Sequence, residues 1–208
     1  MTREELIKMV ALKMDEISSS NDVIVQVLES DNNPLYAQID GLLNESINDV
    51  LMKAPIYRLH NHIVSSLVSK AATKNGIKVA IIDVPEEFLR LVSIVDNAFQ
   101  RPIVELAVEG DDIDKRQHNK FLVAKQAKPV AVISNSAATG RIITCYSYSN
   151  NAQPSPVLNY IKRCDDESSL DEYQIDIVTW VCAGKVFAIQ GDTVKGKMCD
   201  DNAVALMS

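Results

Sequence analysis

The apolar residues of this chain follow a helical period at both ends and a strand period in the middle. Thr2-Arg3-Glu4-Glu5 forms a capping-box pattern, with Thr2 as N-cap and Glu5 at the third helical position. Behind it Leu6, Met9 or Val10, Lys13 or Met14, and Ile17 recur at helical spacing until the polar run Ser18 to Asp22. Val23 to Leu28 is short and apolar and fits strand or helix equally. Asp31-Asn32-Asn33-Pro34 opens a second helix, with Pro34 in its first turn. Leu35, Ile39, Leu42, Leu43, Ile47, Val50 and Leu51 give that helix one apolar face before Ala54-Pro55 ends it. Residues 56–75 are polar and read as a connecting loop with some short structure.

The period then drops to two. Asn75-Gly76 signals a turn, and Ile77 to Ile82 reads as a strand. Val84-Pro85-Glu86-Glu87 reads as one helical turn, its proline preset for helix entry and its acids facing the positive helix end. From Leu89 the residues alternate, Leu89, Leu91, Ser93 and Val95 against Val92 and Ile94, which is strand periodicity. Arg101-Pro102 closes the segment as a pinned corner, because a residue before proline is pushed out of the helical region. Gly110 to Asp114 reads as an acidic loop and Lys115 to Lys128 as a short helix or extended loop.

Pro129 to Ser134 and Arg141 to Ser149 form a hairpin pattern around Asn135 to Gly140, and Val157 to Arg163 is one more strand. Helical spacing returns after Ser169-Leu170-Asp171-Glu172, a second capping-box pattern. It carries Leu170, Tyr173, Ile177, Val181, Gly184 and Ala188, is broken by Gly191, and resumes from Thr193 to the end. The layout predicts an α+β protein: a helical bundle from the N- and C-terminal helices with a central antiparallel β-rich subdomain. Within a single domain over 1–208, the helices occupy 1–55 and 168–208 and the β-rich middle 76–164. No internal repeat is visible.

Composition narrows the class. With 47% hydrophobic and 24% charged residues over 208 positions, the chain suits a globular domain large enough to bury a core. Its net charge of −7, from 21 Lys+Arg against 28 Asp+Glu, disfavours gripping nucleic acid, and no basic cluster comparable to a nucleic-acid patch stands out. The apolar run Ile175 to Ile189 contains Asp176 and Lys185 and falls short of the roughly 20 residues of a membrane span, so a buried helix and no membrane contact are expected. Cys145, Cys164, Cys182 and Cys199 form no C-x-x-C pair. The charged start Met-Thr-Arg-Glu-Glu, with no apolar leader behind it, predicts synthesis in the cytoplasm with reduced thiols.

Six features offer chemistry, each with a plainer reading. Gly191 to Lys197 fits the first seven positions of a G-x-x-x-x-G-K-[ST] phosphate loop, but Met198 replaces the hydroxyl that would ligate magnesium and a helix precedes it where a strand is needed. A glycine break between two helices is the plainer reading. His60 and His62 share one face of an extended segment and could begin a metal site, though only His118 remains to join them. Asp111-Asp112-x-Asp114 resembles the start of a calcium loop without its later glycine and glutamate, which leaves a solvated acidic turn. Glu86 and Glu87 diverge by about 100° in a helical turn, so dipole complementation is preferred to acid/base chemistry. Tyr146 and Tyr148 could stack bases but lack basic neighbours, which favours packing. Trp180 reads as a core anchor. No catalytic, cofactor-binding or metal residue is assigned.

The order of these features resembles a family. Leu51-Met52-Lys53-Ala54-Pro55, then Val84-Pro85-Glu86-Glu87-Phe88-Leu89-Arg90-Leu91-Val92-Ser93, Arg101-Pro102, Lys128-Pro129-Val130-Ala131 and Thr179-Trp180 are similar to segments of the head-to-tail connector, or neck ring, proteins of tailed phages and prophages of gut Bacteroidales, including crAss-like phages. The resemblance spans most of the chain. It departs where Ala98-Phe99-Gln100 precedes the Arg-Pro pair, and Arg58 to Lys74 matches no segment. It implies a non-enzymatic virion protein at the portal vertex. This would be a homo-oligomeric ring, a dodecamer, joining portal to other neck or tail proteins, with genomic DNA passing through without sequence-specific binding. The competing expectations are a metal-dependent nuclease using His60 and His62, a nucleotide-binding enzyme using Gly191 to Lys197, and a monomeric binding module.

Overall fold

The computed structural model describes residues 1–18, 34–65, 69–74, 76–119, 121–136, 140–146, 155–164 and 170–208. Val23 to Leu28, Tyr148 and Ser169 lie outside them. The chain is α+β, and its contacts divide it into two compact units. The helical unit is residues 1–58 with 163–208, and the β unit is 59–162.

In the helical unit α1 (Arg3–Ser18) and α2 (Pro34–Lys53) come from the N-terminal part, α4 (Glu172–Ile189) and α5 (Thr193–Met207) from the C-terminal part. The Thr2 capping box forms as expected: Glu5 N–H donates to Thr2 Oγ1 at 3.3 Å and Thr2 N–H to Glu5 Oε2 at 2.8 Å. At the second box the sequence placed the cap two residues early. Asp171 is the N-cap and Gln174 its partner, so Gln174 N–H donates to Asp171 Oδ1 at 2.8 Å while Asp171 N–H donates to Gln174 Oε1 at 3.3 Å. An aspartate cap satisfies the same orphan donors as serine.

α4 is buried on all sides from Ile177 to Ala183 because α1, α2 and α5 all pack on it. Leu6, Val10 and Met14 of α1 and Ile39, Leu43, Ile47 and Val50 of α2 are the partners its apolar surface requires. Trp180 is buried, as expected, with Lys13 Nζ 4.7 Å from its ring centroid. Lys185 on α4 reaches Glu45 at 2.6 Å and Asp49 at 2.7 Å. Burial alone would lower its pKa, but the hydrogen bonds it donates to Asp49 and Glu45 outweigh that and hold the pKa up. The chain re-enters this unit at Cys164, whose backbone N–H and C=O both pair with the Asn48 side chain, at 3.1 and 3.0 Å.

The β unit starts at 59, not 76. Residues 56–75, expected to be a connecting loop with some short structure, hold, among the described residues, a 3₁₀ turn (Ile56–Arg58) and two strands, β1 (His62–Val64) and β2 (Ser69–Lys74). β2 pairs with β3 (Ile77–Asp83) across a turn containing Gly76, whose φ of 76° suits glycine. β2 was hidden because it is a polar edge strand, lysine-bearing as edges often are. Two sheets result. One orders β1-β8-β4, with β4 at Phe88–Val95 and β8 at Val157–Lys162. The other orders β2-β3-β7-β6-β5, with β5 at Leu106–Val108, β6 at Val130–Ser136 and β7 at Gly140–Tyr146. The expected β6–β7 hairpin is present; the three-residue β5, which pairs parallel to β6, gave no sequence signal.

The inner faces of the sheets share one core: Ala80, Ile82, Ile143 and Cys145 from one, Phe88, Leu91, Ile94 and Tyr160 from the other. Val79, Ala107, Val132 and Tyr146 point to the opposite face of the five-stranded sheet, where Val123 and Ala124 cover them. Tyr146 is therefore a core residue.

β4 corrects the reading of its own alternation. Its buried positions are Phe88, Leu91 and Ile94, every third residue. Register shifts between Phe88 and Arg90 and between Leu91 and Ser93 each insert an extra residue against β8, so the inward side is reset twice. The helical turn expected at Val84 to Glu87 is instead a β-turn, closed by Phe88 N–H to Pro85 C=O at 3.0 Å. Arg141 Nη2 donates to the Glu86 and Phe88 carbonyls at 3.2 and 3.0 Å, and Tyr160 hydroxyl donates to Glu87 Oε1 at 3.2 Å. After β4 the buried Asp96 accepts from Ala98 N–H and Ser155 N–H, both at 2.8 Å, and Ile103 returns to bridge Ile94. Arg101-Pro102 sits inside this return, as a corner.

The thiols follow their burial. Desolvation pushes Cys182 and Cys199 up to about 11 and Cys145 higher still, whereas Cys164 is only half-buried. Iodoacetamide at mildly alkaline pH should therefore modify Cys164 first in the folded protein, read by peptide mass spectrometry. Equal labelling of all four would contradict this burial.

Candidate interaction site

The chain between β5 and β6 builds a groove on the β unit. Gly110, at φ 88°, turns the chain out of β5, and Asp111 caps α3 (Asp112–Gln117) by accepting from Asp114 N–H at 2.7 Å and Val108 N–H at 3.0 Å. Asp114, expected in a solvated turn, is buried and accepts from Gly110 N–H at 2.9 Å. The acids expected to form a solvated acidic turn are thus a helix cap and first turn. The Asp114 and Val108 N–H groups hold the Asp111 carboxyl below its usual range. A depressed folded pKa means the cap's contribution is present above the unfolded value of 3.8 and is lost as pH falls through the folded one. The Asp114 amide resonance should therefore titrate with a midpoint below 3.8; a midpoint at or above it would contradict the cap.

Gln117 fastens the rest. Its buried amide donates to Ile113 C=O and accepts from Ala124 N–H, both at 2.9 Å, which holds residues 121–124 beside α3. Asn119 Oδ1 accepts from Phe121 N–H at 2.9 Å and Asn119 C=O from Leu122 N–H at 3.0 Å, fixing a turn that holds Phe121 out at 92% exposure. A second turn, Lys128 N–H to Lys125 C=O at 2.8 Å, leads into β6. Between them lies an open groove of about 510 Å³ whose apolar walls include Ile113, Phe121, Leu122 and Val123. Arg116, Lys125 and Lys128 line it, and among the described residues no carboxylate does. Apolar walls flanked by cations suit a segment that carries both apolar and acidic side chains.

This groove was not found from sequence. The net charge of −7 conceals the fact that residues 115–164 contain no Asp or Glu. That acid-free run, with Lys115, Arg116, Lys120, Lys125 and Lys128 at its start, was the available signal.

The other candidates resolve locally. His60 is exposed in the segment before β1, and His62 stands edge-on to Tyr160 with ring centroids 5.5 Å apart. Among the described residues no group of three or more His, Cys, Asp or Glu is placed to hold a metal ion. Gly191 to Lys197 spans the turn between α4 and α5 and the first residues of α5. Gly191, at φ 84°, closes a Schellman motif, with its N–H on Ala188 C=O at 3.2 Å and Asp192 N–H on Phe187 C=O at 2.9 Å. Asp192 then caps α5, accepting from Lys195 N–H at 3.1 Å. Gly196 faces Gly184: a Cβ on Gly196 would lie 3.2 Å from the Gly184 carbonyl oxygen. Both glycines of the phosphate-loop pattern thus serve the helix pair, and the lysines follow a helix cap. Among the described residues no helix is long and apolar enough to cross a membrane. No protein-family model matches the chain, and no curated protein matches it.

Proposed function

We propose that the protein is a virion component of a tailed phage that assembles into a ring at the neck, between portal and tail, with DNA passing through its centre. The resemblance in segment order to the neck ring proteins carries this reading. Support comes from where those segments lie: Pro85 to Ser93 supplies most of β4 in one sheet, Lys128 to Ala131 leads into β6 in the other, and Thr179-Trp180 lies in the buried part of α4. The exposed apolar groove beside α3 supplies a surface for subunit contact, since contiguous apolar patches mark interaction sites. The acidic net charge suits passage of DNA without adhesion.

Electron microscopy of the purified protein, alone and mixed with its portal, tests the reading. Rings alone or on the portal vertex are expected. Absence of rings in both, together with tight binding of zinc or a nucleoside triphosphate by a monomer, would overturn it in favour of an enzyme.

A further inference from the structure

We infer that the α3 groove receives the segment Asp22 to Asp31 of a second copy of this chain; this rests on the ring reading above. The groove sets the requirement. Among the described residues Arg116, Lys125 and Lys128 pair with no carboxylate, although they line it together with the exposed Phe121 and Leu122. Three cations beside apolar walls call for a ligand that joins apolar side chains to acids and brings no bases of its own.

The longest base-free run of the chain supplies it. Residues 14–52 contain eight Asp or Glu and no Lys, Arg or His. Within that run the acids of α2 are already engaged, Asp40 with Arg3 and both Glu45 and Asp49 with Lys185. Ile39, Leu43, Ile47 and Val50 of α2 are buried in its own unit. Asp22, Glu29 and Asp31, in a segment outside the described residues, instead frame Val23, Ile24, Val25, Val27 and Leu28. Other acidic stretches are spent or mixed. Ile103 and Ala107 are core residues beside the α3 cap, Ile177 to Ala183 are buried in α4, and α5 sets Lys195 and the exposed Lys197 against Asp200 and Asp201. A groove on one copy and a segment on the next make a heterologous contact, which closes as a ring or grows as a filament.

Photo-crosslinking reads the contact directly. Benzoylphenylalanine replaces Phe121, which is 92% exposed, in the full-length protein. Irradiation should give a covalent dimer on a denaturing gel, with position 121 linked to residues 22–31 by peptide mass spectrometry. In sedimentation velocity over a concentration series, Lys125→Glu with Lys128→Glu, and separately Glu29→Lys with Asp31→Lys, should each weaken self-association by about tenfold or more. The four changes together should restore much of it, and raising salt should weaken the wild-type contact. Val25→Ser with Val27→Ser should weaken it without changing charge, and circular dichroism checks that each variant is folded. If rings form but no link reaches 22–31, or the segment reversal assembles like wild type, the inference falls and the ring reading stands. Links to 22–31 found only at monomer mass, or links to the portal instead, overturn it too. Failure of wild type to self-associate, alone and on the portal, would remove both.

Discussion

Tyr160→Ala is expected to destabilise the β unit by about 3–5 kcal/mol, the range for deleting a large side chain from a packed core. Tyr160 is fully buried at the centre of the β1-β8-β4 sheet. Its ring lies 5.5 Å from Phe88 at 31° and 5.5 Å from His62 at 82°, so truncation opens a cavity between two strands. Tyr160→Phe keeps the ring and loses only the hydrogen bond to Glu87, which should cost about 1 kcal/mol. Urea unfolding of the three proteins measures the difference. Similar losses for Phe and Ala would mean the hydroxyl, and not the ring, holds the sheet.

Gly196→Val should destabilise the helical unit by about 2–3 kcal/mol, through overpacking at a place that cannot yield. The obstacle is backbone: the added Cβ meets the Gly184 carbonyl oxygen at 3.2 Å, and no rotamer change moves it. From the other helix, a Cβ on Gly184 would come within 3.3 Å of the Gly196 carbonyl oxygen and of Cys199 Cβ. Helix propensity opposes this effect, since glycine is about 1 kcal/mol worse than alanine in a helix interior. Gly41 isolates that contribution. It lies on α2 with nothing within 4 Å of an added Cβ, so Gly41→Ala should stabilise by about 0.5–1 kcal/mol. Gly196→Ala sets the same gain against the 3.2 Å contact and should fall between the two. Thermal unfolding ranks them; a Gly196→Val protein as stable as wild type would show that α4 and α5 do not approach as closely as described.

The helices were legible because their evidence is local. The Thr2 and Glu5 capping box and the helix break at Gly191 are read within a single turn of chain, and the structure uses each where the sequence places it. The hairpin of β6 and β7 was legible for a similar reason, as two apolar runs flank a short polar loop. β2 was not, because an edge strand needs few apolar residues and its pairing with β3 supplies the order. The groove escaped because its chemistry is a difference between regions of the chain, which a whole-chain charge averages away.

The sequence by itself determined the class of this protein, the limits of most of its helices and the hairpin at its centre, since capping and periodicity act between residues a few positions apart. Only the tertiary structure decided which side chains of β4 face inward. Two bulges against β8 choose Phe88, Leu91 and Ile94, and a bulge exists only in relation to its partner strand. It also decided that Gly184 and Gly196 are a helix contact and that Arg116, Lys125 and Lys128 line one groove with Phe121. Those relations depend on backbone approach between helices and on side-chain hydrogen bonds from Asn119 and Gln117, which set where Phe121 and Ala124 sit.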